Sequence, residues 1–232
     1  AIGFARRGVD VALVDLGDLT ETTERCRAEG VEVMPARADL SDPAAVAGFF
    51  GQVKETFGRL DYAVNAAGIQ QVKLGPTAEI DDGVWERTLA VNLDGVFYCV
   101  RHEIRLMLET GEGSIVNIGS NGSVQALPNI PAYTAAKHGV AGLTKSAGIE
   151  YAARGVRVNA VLPGATDTPM VQKMMAEDPE AGKKLSDTVL AAVPINRWAR
   201  PEEIAAVALF LCSPGSSYMT GAVLNIDGGF TA

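Results

Sequence analysis

A tyrosine and a lysine four residues apart are the clearest sign of acid–base chemistry in this sequence. Tyr133 and Lys137 bracket the segment Tyr-Thr-Ala-Ala-Lys, and on a helix this spacing places both side chains on one face. A phenol has an ordinary pKa of about 10 and is a poor base at neutral pH. A neighbouring ammonium group, with a cationic ring bound nearby, stabilises the phenolate and lowers that pKa. The pair therefore predicts a proton-transferring phenol, although an ordinary helix surface can carry the same spacing.

A serine at the end of a predicted strand strengthens that interpretation. Ser120 follows the apolar run Ser114–Ile118, and twelve residues separate it from Tyr133. In an open α/β sheet, ligands bind at the carboxyl ends of the strands. A hydroxyl there can donate to a carbonyl oxygen as negative charge develops on that oxygen. A serine in an ordinary turn is the alternative, and Ser123 has the wrong spacing to Tyr133 for the catalytic hydroxyl.

Small and polar residues mark other strand ends and one helix. Small residues let a ring or a ribose approach the backbone closely, and after one strand they are Asn65, Ala66, Ala67 and Gly68. Asn92 lies inside a predicted helix, where a buried amide is unfavourable unless it has a partner. Another strand ends in a turn followed by two hydroxyl residues: Pro163, Gly164, Thr166 and Thr168.

Alternating strand and helix patterns position these residues. The β-branched runs that we predict as strands are Val9–Asp15, Val31–Arg37, Leu60–Asn65, Ser114–Ile118, Val156–Leu162 and Val223–Ile226. The predicted helices between them are Leu19–Glu29, Pro43–Phe57, Val84–Glu109, Pro131–Ala153 and Pro201–Leu211. Strands separated by single helices imply right-handed crossovers. We therefore predict an α/β fold with a doubly wound, Rossmann-like parallel sheet flanked by helices.

One long interval departs from this alternation. Residues 164–200 are rich in Met, Lys, Asp and Pro and lie between the strand Val156–Leu162 and the last helix. Excursions of this length in compact domains are often functional, so we predict a substrate lid, with a variable surface insertion as the alternative. No linker or repeat divides the chain, and residues 1–232 are predicted to form a single domain.

Composition narrows the class of protein. The 232 residues are 47% apolar and 21% charged, with a net charge of −8, which is typical of a globular chain and disfavours nucleic acid as a partner. No apolar run approaches the ~20 residues that cross a bilayer, and no leader is evident. Cys26, Cys99 and Cys212 fit neither a disulfide framework nor a zinc site. We expect a cytoplasmic protein with reduced thiols, no metal site and no membrane partner.

These residues together resemble the short-chain dehydrogenase/reductase family, in its simple single-domain branch. The resemblance runs from Ala1 to the final Asp227-Gly228-Gly229, and the combination of motifs is far more specific than any one of them. It implies that Tyr133 is the general acid/base and that Lys137 lowers its pKa while binding the nicotinamide ribose. It also implies that Ser120 orients the substrate oxygen and that Asn92 supports a water-mediated proton relay.

The resemblance further implies a dinucleotide cofactor and a homotetramer. The implied cofactor residues are Asp15, Asp39, Leu40, Asn65, Ala66, Gly68, Tyr133, Lys137, Pro163, Gly164, Thr166 and Thr168. Among these, Asp39 would contact the adenine edge and Thr168 the carboxamide. The predicted helices Val84–Glu109 and Pro131–Ala153 also carry apolar residues beyond one face, which favours self-association. Those residues are Val96, Phe97, Val100, Ile104, Val140, Leu143 and Ala147.

The start of the chain departs from the family pattern. Ala1–Arg7 has the pattern of a helix end closed by Gly8, whereas a nucleotide-binding sheet normally begins with a strand and a glycine-rich turn before that helix. We therefore expect an N-terminally incomplete domain that lacks its first strand and glycine-rich turn. Roughly 20 further residues, the size of a strand plus turn, would complete the unit.

Asp15 predicts the choice of dinucleotide. It ends the strand Val9–Asp15, where such folds place the acid that accepts hydrogen bonds from the adenosine ribose. A carboxylate there would repel the additional phosphate of NADP, and Leu16, Gly17 and Asp18 supply no basic residue to offset it. We therefore predict NAD as the cofactor, with an exposed Asp in a turn as the alternative.

The sequence thus predicts an oxidoreductase that transfers a hydride between NAD(H) and a secondary alcohol or ketone. The alternative is a non-catalytic dinucleotide-binding regulatory or scaffold protein, because fold does not determine function. Sugars, cyclic alcohols, steroids and acyl thioesters all remain open as substrates. Candidate pocket residues are Gln70, Gln71, Gln125, Leu127, Met170 and Met174.

Overall fold

The computed structural model has parallel strands joined by helices. It describes residues 1–177 and 179–232, except for the side chains at positions 170, 173, 174, 177, 179, 181, 182, 184 and 185. The strands are β1 (Val11–Asp15), β2 (Val33–Arg37), β3 (Tyr62–Asn65), β4 (Gly113–Ile118), β5 (Val156–Pro163) and β6 (Val223–Ile226). β1 pairs with β2 in a two-stranded sheet, and β3, β4, β5 and β6 pair in that order in a four-stranded sheet. All of these pairs are parallel. The predicted α/β class is confirmed.

Helices connect the strands, and the predicted helices are present with small shifts at their ends, apart from Val84–Glu109, which is divided. The helices are α1 (Ile2–Ala5), α2 (Thr20–Arg27), α3 (Pro43–Phe57), α4 (Asp82–Leu89), α5 (Gly95–Thr110), α6 (Pro131–Tyr151), α7 (Pro169–Glu177), α8 (Pro179–Ala192) and α9 (Pro201–Cys212). Of these, α7 and α8 were not predicted. The bounds of α3 match the prediction because local signals fix both ends. The Asp42 side chain accepts from Ala44 N–H at the start, and Gly58 ends the helix with a φ of 71°.

The predicted long helix Val84–Glu109 is interrupted by a π turn. Residues Ala90–Asp94 form that turn between α4 and α5, and Asn92 lies within it. π turns widen a helix and are frequent at functional sites. A π turn keeps the helical periodicity of apolar residues nearly intact, so periodicity alone predicted one continuous helix.

Both faces of the β3–β6 sheet are covered. On one face, Ile115 packs with Met107 of α5 and Val140 of α6, and on the other, Val116 packs with Ile204 and Leu211 of α9. Neighbouring strand residues point to opposite faces, so alternate residues of β4 serve the two layers. This arrangement is the doubly wound architecture.

The β1–β2 pair is not hydrogen-bonded to the β3–β6 sheet. A cavity of about 260 Å³ lies between them, bordered by Ala12 and Val14 of β1 and by residues 62–67 at and after β3. An apolar run such as Val11–Val14 suits a strand that is buried on both faces. Instead, Val11 and Leu13 are buried while Ala12 and Val14 are only partly so, because their side chains border the cavity.

Most of the apolar side chains that were predicted to lie beyond one face of two helices are buried within the protomer. Val96, Val100, Ile104, Val140 and Ala147 all belong to the core between α5, α6 and the sheet. The sequence argument for self-association from these residues was therefore wrong, since the helices lie in the layer under the sheet. Of the predicted set, Phe97 is 43% exposed, and Ile149 on α6, outside that set, is 79% exposed.

The segment 164–200 contains two helices, α7 and α8, and its two ends are joined at their base. Asp167 N–H donates to Ala199 O (2.9 Å), and Ala199 N–H donates to Ala165 O (2.9 Å). Within this segment, Trp198 Nε1 donates to Ser186 Oγ (3.2 Å). None of the helices that the structure describes has the length and apolar character needed to span a membrane.

Candidate active site

The first turns of α6 carry the tyrosine and the lysine on one face. Lys137 is 4% exposed, and its Nζ lies 5.7 Å from the centroid of the Tyr133 ring. The ammonium group donates to the carbonyl oxygen of Ile118 at 2.9 Å. No carboxylate in the described part of the chain lies within ion-pair distance of Lys137. Because an ammonium has three N–H donors, this buried cation has capacity for further acceptors.

Burial dominates the protonation of this pair in the protein alone. It lowers the pKa of Lys137 to about 8 and raises the pKa of Tyr133, an effect that a hydrogen bond with Ser120 partly offsets. This direction applies to the protein alone, whereas the lowered pKa was predicted for Lys137 together with a bound cationic ring. Burial disfavours the phenolate more than the Ser120 hydrogen bond favours it, so lowering this pKa requires further positive charge beside the phenol.

Ser120 lies where β4 ends and is held in a short helical turn. Gly119 N–H donates to Val161 O (2.8 Å) and extends the pairing of β4 with β5. The Ser120 hydroxyl accepts from Gly122 N–H (3.1 Å) and donates to Asn121 Oδ1 (3.0 Å). Ser123 Oγ accepts from Ser120 N–H (3.1 Å). Ser123 thus fixes the turn, while the Ser120 hydroxyl is the group that lowers the pKa of Tyr133.

Asn92 joins the π turn to the loop after β3. Its Oδ1 accepts from Ile69 N–H (3.1 Å), and its Nδ2 donates to Ile69 O and to Thr88 O (both 3.0 Å). Gly68 lies against this amide, since a Cβ at that position would be 2.8 Å from Asn92 Oδ1 and 3.7 Å from Lys137 Nζ. The structure therefore brings together Asn92, Gly68 and Lys137. Two hydrogen bonds thus join the Asn92 side chain to the loop at Ile69, and one joins it to Thr88 of α4.

Asn65 belongs to a buried polar network that the sequence did not reveal. Its Nδ2 donates to Glu103 Oε2 (3.0 Å) and Asn117 Oδ1 (2.9 Å), and Asn117 Nδ2 donates to Thr144 Oγ1 (3.0 Å). Asn65 is among the implied cofactor residues, and its amide turns inward to Glu103 of α5 and Asn117 of β4. The sequence signal that could have predicted this network was the presence of polar residues within the apolar runs of β4 and α5.

Glu103 is the one buried carboxyl of this network. It is 3% exposed and borders the 260 Å³ cavity. Burial raises its pKa to about 8, against the opposing effect of the Asn65 hydrogen bond. A carboxyl group without a cation beside it is easier to bury in its protonated form.

The expected adenosine residues lie at the carboxyl ends of β1 and β2. Asp15 is exposed, and its Oδ1 accepts from Gly17 N–H at 2.8 Å. Asp39 accepts from the Ser41 backbone and hydroxyl (2.9 and 2.6 Å), which lower its pKa. Leu40 borders the same cavity as Asp15.

Arg37 lies beside Asp15, which the search for basic residues among positions 16–18 did not reveal. Strand register places the two residues opposite each other, and Arg37 Nε donates to Leu16 O at 3.0 Å. A guanidinium therefore lies next to the turn that was expected to contain no positive charge. The positive charge of Arg37 opposes the repulsion between the Asp15 carboxylate and a phosphate at this turn.

The residues after β5 form the base of the segment 164–200. Gly164 N–H donates to Ile226 O (3.1 Å), and Thr166 Oγ1 donates to Gly164 O (3.1 Å). A Cβ on Gly164 would lie 2.7 Å from Asp227 Cα, so only glycine permits this close approach. Thr168 Oγ1 accepts from Val171 N–H (3.4 Å) in the first turn of α7. Pro163 lies at the edge of the sheet where β4 also ends.

The predicted pocket residues differ in how exposed they are. Gln70 and Gln125 are exposed, Leu127 is partly buried against Gly122, and Gln71 is buried. The side chains of Met170 and Met174 lie outside the described residues. Gln71 is therefore a structural neighbour of the site rather than an open pocket wall.

The site fits a dinucleotide in two respects. Asp15 offers an exposed carboxylate at a strand end, the usual acceptor for ribose hydroxyls in such folds. Lys137 offers a buried ammonium whose described hydrogen-bond partner is one carbonyl. Between them, Ala66, Ala67 and Gly68 keep side-chain bulk away from the backbone.

Comparison with known proteins agrees with this geometry. A profile of the family described as enoyl-(acyl carrier protein) reductase matches residues 1–231. The chain is 40% identical to cis-4-hydroxycyclohexanecarboxylate dehydrogenase of Sinomonas cyclohexanicum, over 99% of this chain and 89% of that one. It is 37% identical to levodione reductase of Leifsonia aquatica, over 100% and 88%.

A solved structure gives the same result for the fold. The crystal structure of an actinorhodin polyketide ketoreductase with NADPH superposes with a TM-score of 0.92 at 34% identity, covering 99% of this chain and 90% of that one. Sequence and fold are therefore similar over essentially the whole length of the chain. The protein belongs to the short-chain dehydrogenase/reductase family of oxidoreductases.

Proposed function

We propose that this chain interconverts a secondary alcohol and a ketone, with Tyr133 as the general acid/base. The observation that carries the proposal is the buried Lys137, whose Nζ lies 5.7 Å from the Tyr133 ring without an ion-pair partner among the described carboxylates. Burying a cation without a partner is costly. A buried ammonium group can be retained because it acts on neighbouring groups. Here those groups would be the Tyr133 phenol and the hydroxyl groups of a bound ribose.

The four proposed catalytic side chains have distinct tasks. The Tyr133 phenol gives its proton to a carbonyl oxygen during reduction and takes it back during oxidation. Ser120 orients that oxygen, and Lys137 stabilises the phenolate. Asn92 holds the loop that contains Gly68 against Lys137. The raised pKa of Tyr133 in the protein alone keeps the phenol protonated, which suits the donation step.

A nicotinamide dinucleotide is the proposed cofactor, and when bound it supplies or accepts the hydride. Lys137 would bind its nicotinamide ribose, and Asp15 would accept hydrogen bonds from its adenosine ribose. Residues at the ends of β3 and β5 would line it. These are Asn65, Ala66, Gly68, Pro163, Gly164, Thr166 and Thr168, together with Asp39 and Leu40 after β2.

Preference for NAD over NADP rests on Asp15 alone. Its carboxylate would face the phosphate of NADP at close range, while Arg37 beside it opposes that effect. The similar ketoreductase structure contains NADPH, so likeness within the family does not select between the two cofactors. Because Gly17 N–H fixes the Asp15 carboxylate at 2.8 Å, we propose NAD.

Cyclic secondary alcohols are the first substrate class to test. The name of the most similar relative cited above describes a hydroxyl on a six-membered ring. The segment 164–200, which we propose as a lid, is joined at its base beside Thr166 and Thr168. Lids of this kind exclude water from the reacting atoms.

The test is a spectrophotometric assay with purified protein. We expect reduced nicotinamide to absorb when NAD and hydroxylated cyclohexanes are mixed with the wild type, but not with Tyr133→Phe. A regulatory or scaffold protein would bind the dinucleotide, seen by calorimetry, and show no turnover with any alcohol in the panel. That outcome would replace the proposal by the binding function.

A homo-oligomer is a further part of the proposal. Phe97 on α5 and Ile149 on α6 are exposed apolar side chains, and burial in a two-fold interface would remove them from water. We expect light scattering to give a mass of four protomers at micromolar concentration. A monomeric mass that Phe97→Ser and Ile149→Ser leave unchanged would contradict the proposal.

A further inference from the structure

A buried glutamine joins three segments around the start of α6. Gln71 is 3% exposed although it lies in the loop that follows β3. Its Oε1 accepts from Ala132 N–H at 3.0 Å, and its Nε2 donates to Lys73 O at 2.7 Å and Asn129 O at 3.3 Å. Both ends of the amide are thus bonded to backbone, and a buried amide left without these partners would be costly.

The helix needs this contact because its own N-terminus lacks a side-chain cap. Ile130 occupies the capping position and offers no acceptor. Pro131 has no N–H, so the first backbone donor of α6 belongs to Ala132. Free N–H groups at a helix start are satisfied by side chains or water. Here Gln71 supplies the acceptor from 61 residues away in sequence, and the next residue along α6 is Tyr133.

The same glutamine holds a left-handed residue just before the helix. Asn129 has a φ of 66°, which asparagine tolerates better than most residues do. Its carbonyl accepts from Gln71 Nε2 and from Gly75 N–H (3.0 Å). The segment between Ser120 and α6 is therefore bound to the loop after β3 at Asn129, one residue before the helix cap.

We propose that Gln71 is a positioning residue that fixes the Tyr133 phenol relative to Ser120. By binding the first turn of α6 to the loop after β3, it sets where the helix begins and how far its side chains reach towards Ser120. The proposal rests on the proposed function. It adds a residue that touches none of the reacting atoms.

Removal of the amide tests the proposal. Gln71→Met keeps the length of the side chain and deletes all three hydrogen bonds. We expect kcat to fall about 10- to 100-fold, because small misplacement of an acid–base group is expensive, while the dissociation constant of the dinucleotide changes less than about threefold. Gln52→Met is the matched control, since Gln52 is an exposed residue on α3.

Titration of the phenol separates positioning from plain stability. The ultraviolet difference spectrum between the parent and its Tyr133→Phe derivative reports the pKa of Tyr133. We expect that pKa to move in the Gln71→Met background and to stay unchanged with Gln52→Met. This measurement requires no turnover, so it decides the inference even if the proposed oxidoreductase function fails.

Two outcomes would overturn the inference. The first is a Gln71→Met protein with lowered thermal stability but unchanged kcat and Tyr133 pKa, which would make the glutamine merely structural. The second concerns folding. If Gln71→Met does not fold, Gln71→Asn carries the test, because it keeps the amide but is too short to span all three partners. Loss of folded protein in both variants would assign Gln71 to folding.

Discussion

The ammonium group of Lys137 lies 5.7 Å from the centre of the Tyr133 ring and donates a hydrogen bond of 2.9 Å to the carbonyl oxygen of Ile118. The lysine is thereby anchored at the end of β4, two residues before Ser120. This relationship places one cation, one phenol and one hydroxyl at the same strand end. In the proposed mechanism Lys137 has two separable effects, one on the phenol and one on the cofactor ribose.

We expect Lys137→Met to weaken both effects. The phenolate loses its nearest cation, so kcat should fall by about 10²–10⁴-fold, the range for acid–base groups. The dissociation constant of the dinucleotide should rise as well, because a ribose partner is lost. Steady-state kinetics and calorimetry measure the two quantities. Lys145→Met, an exposed lysine on the same helix, is the control, and equal losses in both variants would argue against a specific role.

The buried carboxyl of Glu103 should make stability depend on pH. Its pKa of about 8 in the folded protein exceeds the ordinary value of 4.5, so the folded state holds a proton that the unfolded chain releases. The resulting stabilisation is complete below about pH 4.5 and is lost as pH rises through about 8. Glu103→Gln keeps an acceptor for Asn65 and has no proton to lose.

Urea denaturation across that pH range measures the effect. We expect the free energy of unfolding of the wild type to decrease between pH 5 and pH 8.5 relative to Glu103→Gln, where this contribution is absent. Curves that run parallel for the two proteins would show that Glu103 titrates normally. Glu112→Gln, at an exposed position, provides the control for removing one carboxylate.

Most of the secondary structure could be predicted from sequence because local signals specify it. Proline at the start of α3, with Gly58 after its end, gave both bounds of that helix correctly. The π turn around Asn92 carries no comparable signal, since it preserves the apolar periodicity. The predicted apolar surplus on two helices was wrong because periodicity does not tell how deeply a helix lies beneath its sheet.

The candidate site was predictable only where spacing encodes it. Tyr133 and Lys137 are neighbours on one helix, so their distance follows from four residues of separation. Glu103, Asn65 and Asn117 come from a helix and two strands, and their hydrogen bonds depend on how those elements pack. Burial raises the pKa of Tyr133 in the protein alone, and this effect could not be read from spacing; the lowered pKa in the presence of a bound cationic ring stays a prediction.

Choice of cofactor should respond to Asp15. We expect Asp15→Ala to raise kcat/KM for NADP at least tenfold relative to NAD, since a repulsive carboxylate next to a phosphate costs one to several kcal/mol, about tenfold per 1.4 kcal/mol. Adding Arg37→Leu should remove part of that gain, because Arg37 then no longer offsets the phosphate charge. A wild type that uses both cofactors equally, or a variant without gain, would exclude Asp15 as the selector.

The most direct test of the account is the rate of Tyr133→Phe. This change deletes one hydroxyl and keeps the ring, so folding and dinucleotide affinity should stay close to those of the wild type. We predict that kcat with NAD and a secondary alcohol falls by at least about 10²-fold, as for removal of an acid–base group. A variant that folds, binds the dinucleotide and retains more than about a tenth of the wild-type kcat would show that Tyr133 is not the proton-transferring residue.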